Sequence, residues 1–360
     1  MNKKILIFNW MDIKNPNAGG QEKYCYEIGR RLVRDGFRVI WITSKFQNCL
    51  SHEIIEGIEI IRTGNIYTIF LNSIFKYLKY RKNSYIFISM NSIPFILPFS
   101  KHRRIVMLHH RISLAVMKEK IGFLSYFSFI LQERINPIIY HNDKVITNSE
   151  SSSRDFGSIG YKNIEIVKLG IDIPDSENFI KGKLCISPGP IKPWKHHEIV
   201  IKAFSNIPTE WELSIFGSFE SNSYKDKLLT LCENLKISDR VHFLGRISDL
   251  ELKGIYERAS ICIMGTENEG WGFVAMEAQS YGCPVVAFNV KGIRDSVVNS
   301  ETGILVEFGN VAELSSALCS LVTNEDTLHR MSKNAIKRSK EYGWDNCYEE
   351  FKEKLENTFK

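Results

Sequence analysis

With 360 residues, 44% of them hydrophobic and 24% charged, the chain is too long for one ordinary core and suits two globular domains. Eight cysteines, at positions 25, 49, 185, 232, 262, 283, 319 and 347, form no C-x-x-C pair, which fits reduced thiols in a cytoplasm better than a disulfide frame or a zinc site. The net charge of +6 is unevenly spread, with 25 Lys+Arg against 15 Asp+Glu in residues 1–175 and 22 against 26 in residues 176–360.

Met1-Asn-Lys-Lys4 followed by Ile5-Leu-Ile-Phe8 is too short an apolar run for a signal peptide, and polar Asn9, Asp12 and Lys14 follow at once, so it reads as a first strand. No run reaches the length of a spanning helix: 122–131 is short, and 85–99 is broken by Asn91, Ser92 and Pro94. Strands are expected in the first half at 4–8, 38–43, 58–62, 85–89, 104–108, 144–148 and 164–167, with a helix from Gln21 to about Arg34. A second helix over 66–82 would carry Ile66, Ile69, Phe70, Ile74, Tyr77 and Leu78 on one stripe. The rhythm restarts with strands at 184–187, 212–216, 241–244, 261–264, 285–288 and 304–307. Ser248 with Glu251 is a capping box, Asn310 with Glu313 opens another helix, and the tail from Trp344 reads as helical. Strand–helix alternation of this kind implies doubly wound parallel sheets. The polar, proline-bearing stretch 170–178 marks the seam, giving an N-terminal domain over 1–175, a second over 176–342, and a C-terminal helix over 343–360 that crosses back to the first.

Lys76, Lys79, Arg81 and Lys82, then Lys101, Arg103 and Arg104, concentrate the basic excess. They are either a solvated surface or a face that meets anionic lipid or an acidic acceptor; no recognition motif accompanies them, so nucleic acid is not an expected partner. Gly19-Gly20 lies between the first strand and first helix, as a tight turn or as a backbone loop for phosphate, and its lack of the G-x-G-x-x-G pattern disfavours a dehydrogenase. Near the three-quarter point, Glu269 and Glu277 enclose seven residues, including Gly270 and Gly272. Glu269 falls in a strand-to-helix loop and Glu277 about one turn into a helix that Gly282 and Pro284 close. Glycines there admit a ligand to the backbone, the helix N-terminus favours phosphate, and an ionised carboxylate accepts from vicinal hydroxyls. The combination fits a nucleotide-sugar.

Glu269-Gly-Trp-Gly-Phe…Glu277-Ala with Tyr281-Gly-Cys-Pro-Val-Val-Ala287 resembles the E-x7-E signature of family-4 retaining glycosyltransferases. Asn17-Ala-Gly-Gly20, Gly170-Ile-Asp172, Gly189…Lys195, Phe243-Leu-Gly245 and Thr302-Gly-Ile-Leu305 extend the resemblance over nearly the whole chain. It implies the GT-B fold, two Rossmann-like domains facing across a cleft, with the donor in the second and the acceptor in the first. It further implies that Glu269 contacts the donor sugar and Glu277 the ribose, with backbone around Gly270, Gly272, Phe273 and Val274 holding the sugar. Gly19, Gly20, Gly189 and Lys195 would meet the diphosphate, Arg246 the base, and His109, with His110 as fallback, the transferred sugar. The chain departs from the pattern at Pro190, where relatives carry an arginine; Lys192 is the residue that could supply the missing cation. No D-x-D occurs, so the expectation is metal-independent transfer of a hexose from a nucleotide diphosphate-sugar, with no cofactor, to a glycan or lipid-linked acceptor in cell-surface polysaccharide or glycolipid synthesis, in the cytoplasm or peripherally at the inner membrane face. The competing expectations are a sugar-nucleotide epimerase on the same frame and a non-catalytic two-domain nucleotide-sugar-binding protein.

Overall fold

A computed structural model describes residues 3–90, 93–98, 104–109 and 130–358. The chain forms two compact units, Met1–Gly170 with Trp344–Lys360, and Ile171–Gly343. The division falls at Gly170 and not at 175, because Ile171 pairs with Gly343 and its N–H donates to the Tyr342 carbonyl at 2.7 Å, which ties it to the second unit.

In the first unit β1 (Lys4–Phe8), β2 (Arg38–Thr43), β3 (His52–Ile55), β4 (Ile58–Arg62), β5 (Ser84–Met90), β6 (Arg104–Leu108), β7 (Lys144–Thr147) and β8 (Ile164–Ile166) form one sheet in the order β3-β4-β2-β1-β5-β6-β7-β8. Every pairing is parallel except β3 with β4. Strands such as β6 are buried along their whole length, as parallel strands covered on both faces must be. The helix Gly20–Arg34 buries Tyr24, Cys25, Ile28 and Leu32 on that sheet. It ends in a left-handed Gly36, with Phe37 N–H reaching back to the Leu32 carbonyl at 2.9 Å. The C-terminal helix Trp344–Asn357 packs on the same unit. Asp345 takes a hydrogen bond from Arg31 at 2.8 Å, the Tyr348 hydroxyl donates to Asp35 at 2.8 Å, and Phe351 lies 5.0 Å from Phe87.

Two local expectations need correction. β3 was not anticipated; it is a four-residue edge strand joined to β4 by Glu56 and Gly57, both left-handed as a two-residue hairpin turn requires. The second helix spans Ile69–Tyr80 and does not begin at 66, because the Asn65 side chain accepts from the N–H groups of Tyr67 and Thr68 at 2.9 and 3.0 Å and holds them in a turn. Its buried stripe is Ile69, Ser73 and Tyr77, while Ile66 and Leu78 are exposed.

In the second unit β9 (Leu184–Pro188), β10 (Glu212–Phe216), β11 (Val241–Gly245), β12 (Ile261–Met264), β13 (Val285–Phe288) and β14 (Gly303–Val306) form an all-parallel sheet in the order β11-β10-β9-β12-β13-β14. The helices His197–Phe204 and Phe273–Ser280 follow β9 and β12.

Candidate active site

In the second unit the strand order runs outward from β9 through β10 to β11, then returns to β12 beside β9. The loops after β9 and β12 therefore part at this switch point, where open parallel sheets leave a crevice for ligands. Three strand ends on this rim carry glycine with positive φ: Gly189 at 120°, Gly217 at 139° and Gly245 at 67°. Gly189 donates to the Phe216 carbonyl at 2.9 Å and Gly217 to the Gly245 carbonyl at 2.8 Å, so the rim is laced edge to edge. A Cβ at Gly217 would lie 3.1 Å from the Pro190 nitrogen, within the path of the loop after β9.

That loop leads through Ile191 and Lys192 to a tight turn, Pro193–Lys195, and a left-handed His196 that starts the helix His197–Phe204. The Lys195 ammonium pairs with the Glu269 carboxylate, 74 positions away, with both side chains largely shielded from solvent. Gly265, just past β12, makes the meeting possible. A Cβ there would lie 2.7 Å from the His196 carbonyl oxygen and 3.1 Å from that of Lys195, so only glycine lets the strand end abut the turn. Behind Glu269 stands Gly292, at φ 82° and ψ −47°; a Cβ on it would sit 2.7 Å from the Glu269 carbonyl carbon. Trp271, buried, braces the same loop against Tyr342 at 5.4 Å and Phe273 at 6.1 Å.

Gly272, left-handed at φ 82°, is the N-cap of the helix Phe273–Ser280 and offers no side-chain cap to its first turn, which also contains no acidic residue. Phe273 and Val274 supply the first N–H groups there. Glu277 follows in the second turn, half-buried. Burial raises the phenol pKa values of Tyr256 and Tyr281, which stack at 5.3 Å, and the Glu277 carboxylate adds to both shifts. The Lys192 ammonium lies 4.9 Å from the Trp194 ring centroid, a cation–π contact on its own loop. Arg246 is exposed beyond β11, and Gly270 lies between Glu269 and Trp271.

Sequence reasoning missed several members of this rim. Gly217, Gly265 and Gly292 set backbone approaches that no spacing announces. His197 is 2% exposed, its Nδ1 has no hydrogen-bond partner among the described residues, and burial together with the Lys195 charge lowers its pKa to about 4. Beside it Glu198 accepts from the Tyr224 hydroxyl at 2.6 Å. The available signal was the run Trp194-Lys195-His196-His197 in the loop that follows a strand.

The first unit has its own switch point, between β1 and β5. Gly19 caps the helix Gly20–Arg34, and its N–H donates to Glu22 Oε2 at 2.9 Å, while Asn9 donates to Glu22 Oε1 at 3.2 Å. Burial pushes the Glu22 carboxyl up from its ordinary value. The Gly19 N–H is thus committed to an acid, and a diphosphate would have to displace it; a Cβ on Gly20 would meet nothing within 4 Å. His109 follows β6, buried, with Nε2 2.8 Å from the Ser89 hydroxyl, its carbonyl accepting from Asn148 at 2.9 Å, and Tyr24 edge-on at 5.7 Å. His110 lies outside the described residues.

The family model described as "Glycosyl transferases group 1" matches residues 172–338, and that described as "Glycosyltransferase Family 4" matches residues 18–174. An uncharacterized glycosyltransferase of Haemophilus influenzae is 30% identical over 177 residues, 48% of this chain and 49% of that protein. The chain spans about half the length of the curated relatives it matches. Among solved structures, the sucrose-phosphate synthase of Thermosynechococcus elongatus superposes with a TM-score of 0.78 at 20% identity, covering 99% of both chains. HepE of Anabaena, in complex with UDP and glucose, superposes with a TM-score of 0.74 at 19% identity, covering 99% of this chain and 100% of that one.

Proposed function

The chain belongs to the family-4 glycosyltransferases and has their GT-B fold, and from that premise we propose that it moves a hexose, with retention of anomeric configuration and without a metal ion, from a nucleotide diphosphate-sugar to an acceptor hydroxyl. The observation that carries the proposal is the Lys195–Glu269 pair at the switch point of the second unit, where a cation for the diphosphate and a carboxylate for the sugar stand side by side. In this reading donor binding exchanges partners: Lys195 turns to the diphosphate and Glu269 to the sugar hydroxyls. The helix Phe273–Ser280 directs its positive dipole end at the same place, Gly270, Gly272, Phe273 and Val274 offer backbone to the sugar, and Glu277 accepts from the ribose.

Gly189, at positive φ and with nothing within 4 Å of where a Cβ would stand, lets the phosphates approach the strand end closely. Pro190 donates no hydrogen bond, so the leaving charge rests on Lys195, the helix end and Lys192 once it swings off Trp194. Arg246 borders the base. Preorganised charge of this kind, aimed where negative charge develops, supplies the electrostatic part of catalysis. The departing phosphate oxygen takes the acceptor proton, which removes the need for a dedicated base. His109, pinned by Ser89 and Asn148 in the first unit, orients the sugar, and Gly19 and Gly20 meet the leaving diphosphate once it displaces Glu22 from the Gly19 N–H. The absence of D-x-D from the sequence supports cationic side chains over a clamped metal. HepE, whose structure holds UDP and glucose, supports a nucleotide-sugar donor, and the first-unit basic excess supports a glycan or lipid-linked acceptor of cell-surface synthesis.

The test is incubation of the protein with UDP- and GDP-hexoses and a lipid-linked acceptor in chelator, with the product anomer read by NMR. An α-linked product from an α-configured donor supports the reading. An inverted product refutes retention, dependence on added metal refutes metal independence, and an isomerised donor formed without acceptor replaces transfer by epimerisation.

A further inference from the structure

The helix Ile69–Tyr80 is turned to the sheet by Ile69, Ser73 and Tyr77. At 100° per residue, the positions opposite that stripe are Leu71, Phe75 and Leu78. A helix on a soluble surface places charge there; here the three side chains are 62%, 64% and 43% exposed. Tyr67, at the helix entry, extends the patch, and Phe95, packed 4.9 Å from Phe70, brings the exposed Ile96 to its flank. Large apolar residues clustered on an outer face mark a surface that meets something.

The charge around the patch says what. Among the described residues from 63 to 98, four are Lys or Arg and none is Asp or Glu. On the helix itself Lys76 and Lys79 line one side of the apolar stripe, and Arg81 and Lys82 follow directly. A second copy of the chain would oppose lysine to lysine across this face, so self-association has the wrong sign. The occupant must be anionic and must also accept leucine and phenylalanine to a shallow depth. An anionic lipid surface does both, with the helix lying in the plane of the interface. Among the described residues no helix is long and apolar enough to cross a membrane.

We propose that the outer face of the helix Ile69–Tyr80, with Leu71, Phe75 and Leu78 inserted and Lys76 and Lys79 on the headgroups, docks the first unit on an anionic membrane. The proposal stands on the first unit alone and does not depend on the donor site.

The experiment is co-sedimentation of the full chain, without nucleotide, with phosphatidylcholine vesicles lacking or containing phosphatidylglycerol, at low and physiological salt. The wild type sediments with the phosphatidylglycerol vesicles and less so as salt rises. Each lysine is worth about fivefold in partitioning, so Lys76→Glu/Lys79→Glu lowers binding by about 25-fold or more. Leu71→Ser/Phe75→Ser/Leu78→Ser abolishes sedimentation, with thermal unfolding unchanged because all three are surface positions. The proposal is overturned if the wild type ignores both vesicles, if it binds neutral vesicles equally well, or if the folded triple variant still sediments. It is also overturned if the face proves to hold a second copy or an acidic protein while wild-type chain fails to sediment with vesicles. No such result bears on donor binding, which is measured separately.

Discussion

Gly292→Ala tests whether the loop bearing Glu269 is held in place from behind. Gly292 sits at φ 82° and ψ −47°, and a Cβ there would be 2.7 Å from the Glu269 carbonyl carbon and 3.1 Å from that of Gly270. Carbon–carbon contacts settle at about 3.5–4.0 Å, so the Glu269–Gly270 backbone must withdraw by about 1 Å. Positive φ costs an alanine about 1–2 kcal/mol, and overpacking adds about 1–3 kcal/mol. A loss on the order of 2–5 kcal/mol lowers the melting temperature of a unit this size by roughly 5–15 °C. A misplacement of about 1 Å at a reacting centre costs on the order of 100-fold in rate, and the donor should bind correspondingly worse. Gly36→Ala is the control: the same φ of 82°, but nothing within 4 Å of the added Cβ, and in the other unit. It loses about 1 kcal/mol and no donor affinity. Calorimetric unfolding and titration with nucleotide-sugars read both effects. The reasoning is refuted if Gly292→Ala melts and binds donor as wild type does; reduced stability with unchanged donor affinity removes Glu269 from the site.

Lys195→Ala removes a charge-assisted contact worth about 1.5–3 kcal/mol, so titration should show at least tenfold weaker donor binding; unchanged affinity would exclude Lys195 from the diphosphate. Lys192→Ala should weaken donor binding by about tenfold, and an unaltered titration and turnover would show that nothing replaces the arginine missing at Pro190. His197 is neutral in the folded state down to about pH 4, whereas an unfolded histidine titrates near 6.5, so the unfolded chain binds the extra proton between these values. Its contribution is therefore whole above pH 6.5 and is lost as pH falls toward 4, a loss on the order of 3 kcal/mol that His197→Gln should flatten in a denaturation series. Gly254, inside the helix Asp249–Arg258 with nothing within 4 Å of an added Cβ, should gain about 0.5–1 kcal/mol as alanine; a lower melting point would contradict that.

Runs such as Leu184-Cys-Ile-Ser-Pro188 were legible as buried parallel strands because neither face meets water and no alternation is imposed. The caps were legible too: Ser248 accepts from Glu251 N–H at 3.3 Å while Glu251 takes the Ser248 N–H at 2.8 Å, and Asn310 accepts from Glu313 N–H at 3.0 Å. β3 was not, since its four residues lie on an exposed edge and gain their order only from β4. The helix 69–80 misled in a different way. The stripe expected from Ile66, Ile69, Phe70, Ile74, Tyr77 and Leu78 is only partly the buried one: the fold buries Ile69, Ser73 and Tyr77 and leaves Ile66 and Leu78 outside. At the candidate site the residue types were readable and their geometry was not. Glu269 and Lys195 stood out as residue types, but their meeting rests on Gly265 and Gly292, whose roles depend on backbone from distant segments. The Glu22 carboxylate on Gly19 N–H was hidden for a different reason: the contact is local, but a glycine at the N-cap has no side chain to announce a capping box.

The most direct measurement is isothermal titration of nucleotide diphosphate-sugars into the wild type, Glu269→Ala and Glu277→Ala, with nucleoside diphosphate release followed in the same samples. The account predicts that one donor binds the wild type and is turned over, and that both variants, folded, lose most of that transfer. Wild-type binding and turnover in both variants would contradict it, as would a wild type that takes up none of the donors.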